Sequence, residues 1–285
     1  MVEVRYKGRL GNNLFQYCIG RIIAETLGLE LRAQPVPGFP RTADVVSGAR
    51  HQEAGEVLEG HAIDLGAILA NRAPRRIVVD GWFQQYRYYR PYRTRIQEWL
   101  TFDSQLDSGE NPGDRLVVNV RRCDYIQLGW AMPFSYYENA IERLLPPGGS
   151  ICIVTDDKRD PFFKSFARWR PVFYSGSSLH QMRFMSRARR LVMSQSTFSW
   201  WPTFLGQIEH IACPVSVHGG AWSPVAGGES QGVNLLECDR FICVDAGERY
   251  QPTKEELRHQ VWRLRWRRLV LALNRRGVPI EIPPQ

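Results

Sequence analysis

Arg121 and Arg122 stand side by side at the end of an apolar run, with Asp124 close behind, in the stretch "VVNVRRCDY" at 117–125. A guanidinium is permanently charged and presents a planar fork of donors that matches phosphate oxygens. The chemistry this suggests is recognition of a phosphorylated ligand, or stabilisation of a phosphate group as it leaves. The competing reading is a structural ion pair, for example Arg122 with Asp124 or another buried carboxylate. Like charges side by side need a neutraliser, so Arg121 is assigned to the ligand and Arg122 to the brace.

Three further stretches could serve such a ligand. "SQSTFSWW" at 194–201 offers the hydroxyls of Ser194, Ser196 and Thr197 and backbone N–H groups at an expected helix start, a natural site for an anionic oxygen. Plain helix capping by Ser196, with Phe198, Trp200 and Trp201 in the core, is the alternative. Pro202 leaves the start open between Ser196 and about Ser199, since proline suits only the first turn. "TDD" at 155–157 puts Asp156 and Asp157 where they could hold a sugar hydroxyl, a nucleobase edge or a metal, or merely cap a turn. Mg²⁺ usually takes one or two carboxylates plus substrate phosphates. The chain has no D-x-D sequence, and arginine with helix-terminus charge suffices for a phosphate leaving group, so no metal and no cofactor are expected. "KGRLGNNLFQY" at 7–17 places Gly11 and Asn12 in an expected loop where backbone can approach a ligand closely. Its spacing differs from the dinucleotide fingerprint, and a tight turn is the competing reading. The histidines at 51, 61, 180, 210, 218 and 259 show no metal-ligand spacing; surface or core roles are expected for all of them.

The elements that must position these residues alternate. Strands are predicted at 2–6, 76–83, 115–120, 150–157, 171–174 and 190–194, and helices at 14–27 and near 134–145, 161–168 and 178–187. Such alternation predicts βαβ units, parallel sheets and an α/β fold of two Rossmann-like domains facing a central cleft. The polar stretch "DSGENPGD" at 107–114 reads as the linker. The expected domains are 1–110, 111–250 and a basic helical tail at 251–285. Ligands of open α/β sheets sit beyond the carboxyl ends of the strands, which sends Arg121, Arg122, Asp124, Asp156, Asp157, Ser194, Ser196 and Thr197 toward one crevice. Residues 36–75 are too irregular to assign; with 216–234 they are expected to shape an acceptor pocket.

In this order and spacing, "GRLGNNLFQY", "GWFQQYRYY" (81–89), "VNVRRCDY" (118–125), "TDD" and "SQSTFSWW" resemble the α-1,2-fucosyltransferase family, over about residues 5–205. The resemblance implies a GT-B architecture, GDP-β-L-fucose as donor, inversion to an α-fucoside on the 2-hydroxyl of a galactose-type acceptor, and no metal. It implies that Arg121 binds the β-phosphate and that Asp124 is the motif's aspartate and a weak nominee for general base. Asp156 and Asp157 would reach guanine or ribose. Ser194, Ser196, Thr197 and Phe198 would line the diphosphate and base pocket, and Gly11 and Asn12 would approach the fucose side. Arg122 and Asn119 fall within the same donor site. Two departures stand out: Asn119 replaces the usual histidine and cannot titrate, and Cys123 replaces the usual glycine. The alternatives are a fucosyltransferase of different linkage, or a catalytically degenerate protein that still holds a sugar nucleotide or glycan.

Composition limits the remaining choices. The chain has 285 residues, 44% of them hydrophobic, enough for a substantial core and not the composition of a disordered segment. Of its formal net charge of +8, residues 254–285 supply +5. "KEELRHQVWRLRWRRLVLALNR" at 254–275 reads as a helix with Trp262, Trp266, Leu269 and Leu273 on one stripe. Packing back across both domains is the expected role, and peripheral docking on an anionic membrane is the second reading. Nucleic acid is not an expected partner, because the charges are not interleaved with a recognised motif. Six scattered cysteines without a C-x-x-C pair suggest reduced thiols and a cytoplasmic location, extending at most to the inner face of a membrane. "MVEVRYKG" at the start does not read as a signal peptide.

Overall fold

The computed structural model describes residues 1–43, 55–73, 75–107, 109–215, 233–236, 240–247 and 250–275. In chain order the first half forms β1 (Val2–Val4), α1 (Leu10–Leu27), β2 (Leu31–Arg32), β3 (Glu56–Leu58), α2 (Leu65–Ala70), β4 (Ile77–Val79), α3 (Tyr86–Tyr89) and α4 (Arg93–Trp99). Its four strands pair in parallel in the order β2-β1-β4-β3. The second half forms β5 (Leu116–Val120), α5 (Cys123–Leu128), α6 (Phe134–Leu144), β6 (Ile151–Thr155), β7 (Val172–Tyr174), α7 (Ser178–Ser186), β8 (Arg190–Val192), α8 (Thr197–Leu205), β9 (His210–Val215) and β10 (Phe241–Asp245), and then α9 (Lys254–Arg275). Its six strands are also parallel, in the order β10-β9-β8-β5-β6-β7. The α/β class with two Rossmann-like sheets is therefore as expected. β5 and β6 are buried at every position, because helices cover both faces of a parallel sheet.

Several local expectations need correction. α1 starts at Leu10, so Gly11 and Asn12 lie in the first helical turn and not in a loop. The segment Pro161–Trp169 is a 3₁₀ helix. Ser196 is the N-cap of α8 and Pro202 sits inside that helix. β2, β3, β9 and β10 lie outside the expected strands, and β3 and α2 fall in the irregular stretch 36–75. Each is short or lacks a clean period, which hides it from pattern reasoning. Most of the expected acceptor loop 216–234, and Cys238, fall outside the described residues.

A continuous apolar core joins the two halves. Phe15 of α1 packs on Trp200 and Trp201 of α8 with ring centroids 5.0 and 4.7 Å away, and on Tyr89 of α3 at 5.1 Å. All four rings are fully buried. Each indole finds an acceptor, Trp200 Nε1 donating to Leu235 O and Trp201 Nε1 to Gly11 O at 2.8 and 2.7 Å. Large aromatic surfaces with satisfied polar tips make a strong, specific contact. The "SWW" portion of the motif thus fastens one domain to the other, which opposes free hinge motion.

α9 makes its contacts, among the described residues, with the second half of the chain, not across both domains as expected. It lies on the second sheet, against the 3₁₀ segment Pro161–Trp169 and the ends of β6 and β7. Glu256, Gln260 and Val270 are buried, whereas Trp262 and Trp266 are about half exposed. Among the described residues no helix is long and apolar enough to cross a membrane.

Candidate active site

In the six-stranded sheet the chain runs outward from β5 through β6 to β7, then returns to the other side of β5 as β8 and continues outward through β9 to β10. Connections leaving in opposite directions open a crevice beyond the carboxyl ends of β5 and β8. Arg121 follows β5, and Ser194, Ser196 and Thr197 follow β8. From the first sheet, the starts of α1 after β1 and of the Trp82–Gln84 turn after β4 reach the same place. Asn12 Oδ1 accepts from Gln84 Nε2 at 2.9 Å and from Thr197 Oγ1 at 3.1 Å, joining the two domains.

Gly11 makes that approach possible. A Cβ at position 11 would lie 2.7 Å from Thr197 Oγ1 and 2.9 Å from the backbone of Thr197 and Phe198. The residue is small so that the N-terminal turns of α1 and α8 can touch, and α8 occupies the space that the loop reading left for a ligand. Gly11→Ala is expected to cost about 1–3 kcal/mol of stability, the usual penalty of overpacking. Thermal melting with the far-ultraviolet spectrum unchanged would check this.

Arg121 lies between two carboxylates: Nη2 is 2.9 Å from Asp124 Oδ1 and Nη1 3.2 Å from Asp156 Oδ2. Its Nε is buried without a hydrogen-bond partner among the described residues, and the guanidinium sits 5.0 Å above the Tyr125 ring. Burial works to discharge Arg121, but Asp156, Tyr125 and Asp124 outweigh it and hold its pKa above the ordinary arginine value. Asp124 also reaches across the domains, its Oδ2 lying 3.3 Å from Arg9 Nη2. Ser196 caps α8, its Oγ accepting from Phe198 N–H, and burial pushes the nearby Tyr125 phenol up, with Ser196 and Arg121 working against it.

Arg122 is placed away from the crevice. Its side chain is fully buried, with Nε 3.1 Å from Asp160 Oδ2 and Nη2 2.7 Å from Glu256 Oε1. Nη2 also donates to Tyr250 Oη at 2.9 Å, and the guanidinium lies 4.0 Å above the Phe162 ring. Only its backbone N–H serves the strand end, donating to Asp156 Oδ1 at 2.8 Å. Asn119 likewise stays within the sheet: its amide donates to Val154 O and accepts from Ser194 Oγ at 3.1 and 2.7 Å. Both Asn119 and Ser194 are buried, so these two expected donor-site residues tie β5, β6 and β8 together. Asp157 is held by α9, its Oδ2 lying 2.9 Å from His259 Nε2 and 3.3 Å from Arg263 Nε. Cys123 opens α5 and packs inward, its thiol donating to Asp156 O at 3.3 Å, and burial pushes the thiol's pKa up. Phe198 is half-buried against the common core.

Sequence reasoning missed Arg9, Gln84, Tyr125, His259 and Arg263. Arg9, Gln84 and Tyr125 lie inside quoted motifs, but nothing in their spacing pointed to a partner in the other domain or in α8. His61, expected in a surface or core role, stacks near Trp82 with ring centroids 6.3 Å apart, and burial lowers its pKa. Among the described residues no cluster of three or more His, Cys, Asp or Glu could hold a metal ion.

A crevice with a strand-end arginine and a capped helix start is chemistry suited to a nucleoside diphosphate. Residues 81–214 match the family model described as Glycosyl transferase family 11. The match spans just under half of the chain and includes Arg121, Asp124, Asp156 and the start of α8. A comparison with curated proteins finds no match. Among solved structures, a mutant of Arabidopsis thaliana FUT1 in complex with GDP is 12% identical, over 74% of this chain and 69% of that one, with a TM-score of 0.46. The fucosyltransferase NodZ from Bradyrhizobium is 13% identical, over 74% and 94%, with a TM-score of 0.48. The ADP-heptose LPS heptosyltransferase II of E. coli is 10% identical, over 62% and 52%, with a TM-score of 0.32.

Proposed function

We propose that the protein is an inverting glycosyltransferase that moves L-fucose from GDP-β-L-fucose to the 2-hydroxyl of a galactose-type acceptor. The observation that carries this reading is the placement of Arg121 and the start of α8 on the two strands that flank the crevice, inside the segment that matches the glycosyltransferase family model. In the reaction the acceptor oxygen attacks the anomeric carbon from the face opposite the diphosphate. The carbon–oxygen bond to phosphate breaks and its electron pair leaves with GDP. Arg121 and the positive end of the α8 dipole stabilise that charge in a site partly withdrawn from water, where such contacts act most strongly. Asp124 has both oxygens near arginines, a position that suits bridging Arg9 to Arg121 better than receiving the acceptor's proton. An oxocarbenium-like displacement fits this arrangement: the acceptor oxygen sheds its proton to solvent water only as its bond to the anomeric carbon forms, so no strong base is needed.

The test is incubation of the full chain with GDP-fucose and a panel of β-galactosides, with the linkage mapped by mass spectrometry and NMR. Transfer to the galactose 2-hydroxyl supports the proposal, and transfer elsewhere on the sugar corrects the linkage. Release of no GDP with any acceptor would overturn it. The rate is expected to be the same in excess EDTA as in Mg²⁺, because arginine and helix-terminus charge carry the leaving group. A rate that falls on chelation and returns with Mg²⁺ would show a metal in that role.

A further inference from the structure

A cavity of about 440 Å³ lies beyond the ends of β6 and β7, within the usual size range of small-molecule sites. One wall is formed by the ends of β6 and β7 and the first turn of α7: Thr155, Asp156, Asp157, Gly176 and Gln181. The other is α9, through His259, Trp262, Arg263, Trp266, Arg267 and Val270. Asp156 joins the cavity directly to the crevice, since its Oδ2 contacts Arg121 Nη1 at 3.2 Å. A larger hollow of about 720 Å³ beside Asp64, Arg87 and Tyr92 touches none of the strand-end residues.

The cavity is suited to an anion with a flat heterocycle. Its lining carries two carboxylates, Asp156 and Asp157, against four permanent cations, Lys158, Arg159, Arg263 and Arg267, two of them from α9. Around Arg121 itself charge is already balanced, Arg9 and Arg121 facing Asp124 and Asp156. The positive surplus a diphosphate requires therefore comes from this cavity, to which α9 adds Arg263 and Arg267 beside Lys158 and Arg159 of the β6 end. The same helix presents the Trp262 and Trp266 rings nearly parallel, 8° apart in plane and with centroids 6.2 Å apart.

α9 is also tied into the arginine pair. Glu256 receives Arg122 Nη2, Tyr250 Oη and Thr253 N–H at 2.7, 2.5 and 2.6 Å. His259 and Arg263 hold Asp157 one and two turns later, and Val270 is fully buried. The helix is thus anchored along its length and placed by the residue next to Arg121.

We infer that α9, which lies outside the segment matching the family model, is the second wall of the donor pocket. Trp262 and Trp266 cover the base of a nucleoside diphosphate, and Arg263 and Arg267 add the positive charge that draws it in. This rests on the donor reading above and extends it to residues for which that reading gives no role.

The test is binding of GDP and of inorganic diphosphate to the full chain, measured by calorimetry. Trp262→Ala and Trp266→Ala are each expected to weaken GDP about tenfold, the loss of one base–aromatic contact, and to leave inorganic diphosphate unchanged. Arg267→Gln is expected to weaken both ligands. Val261→Ala, on an exposed part of α9 outside the cavity, is expected to weaken neither. If the wild-type chain binds no GDP, the donor reading itself falls. If it binds GDP and the tryptophan variants bind equally well, or lose GDP and diphosphate in equal measure, α9 is not the wall that covers the base.

Discussion

Arg121→Ala is expected to lower kcat/KM for sugar transfer about 100- to 1000-fold, taking loss of one preorganised charge-stabilising contact as the guide. Arg121 follows a central strand of the larger sheet, and it has a buried Nε that no group among the described residues satisfies. Its removal leaves Asp124 with Arg9, and Asp156 Oδ1 with the backbone N–H of Arg122. The fold should therefore survive with a loss of only about 1–3 kcal/mol, the cost of an orphaned hydrogen-bonding group. Arg121→Lys keeps the charge without the planar fork and should fall between the two. Steady-state kinetics with a circular-dichroism melt on the same samples separate the effects. Activity within tenfold of wild type in a folded Arg121→Ala protein would remove this arginine from the chemistry.

The neighbouring position should behave in the opposite way. Arg122→Ala is expected to destabilise the fold by about 3–5 kcal/mol, the usual cost of breaking a buried ion pair by removing one partner. Asp160 and Glu256 would remain beside an empty space, both almost inaccessible to solvent and lacking their common cation. Arg122→Lys should recover only part of the loss, since one ammonium on a flexible stem cannot reproduce the fork that meets Asp160, Glu256 and Tyr250 together. The midpoint of urea unfolding reads this directly. An unchanged midpoint would mean that the cluster does not hold α9 in solution.

The division between Arg121 and Arg122 was legible as an electrostatic argument, because two adjacent guanidinium groups need separate neutralisers. The identity of the neutralisers was not. Asp160 is 38 residues from Arg122 and Glu256 is 134 away, and no local pattern joins them. Asn119 and Ser194 illustrate the converse problem. Polar residues at a strand end read as ligand contacts, yet here the strands sit closely enough for the two side chains to satisfy each other and a neighbouring carbonyl. Gly11 was singled out for its small size, and the size does matter, but the close neighbour is α8.

What the sequence determined by itself was the alternation of strands and helices, the parallel sheets that follow from it, and the rule that sends strand-end residues toward one crevice. Those depend on period and turn chemistry, which are local. Tertiary structure decided which of the polar residues face that crevice, how α1 and α8 meet through Asn12 and Thr197, and where the basic helix α9 lies. Each of these is a contact between segments far apart in the chain, fixed by core packing and buried charge pairing, and periodicity along the chain carries no record of either.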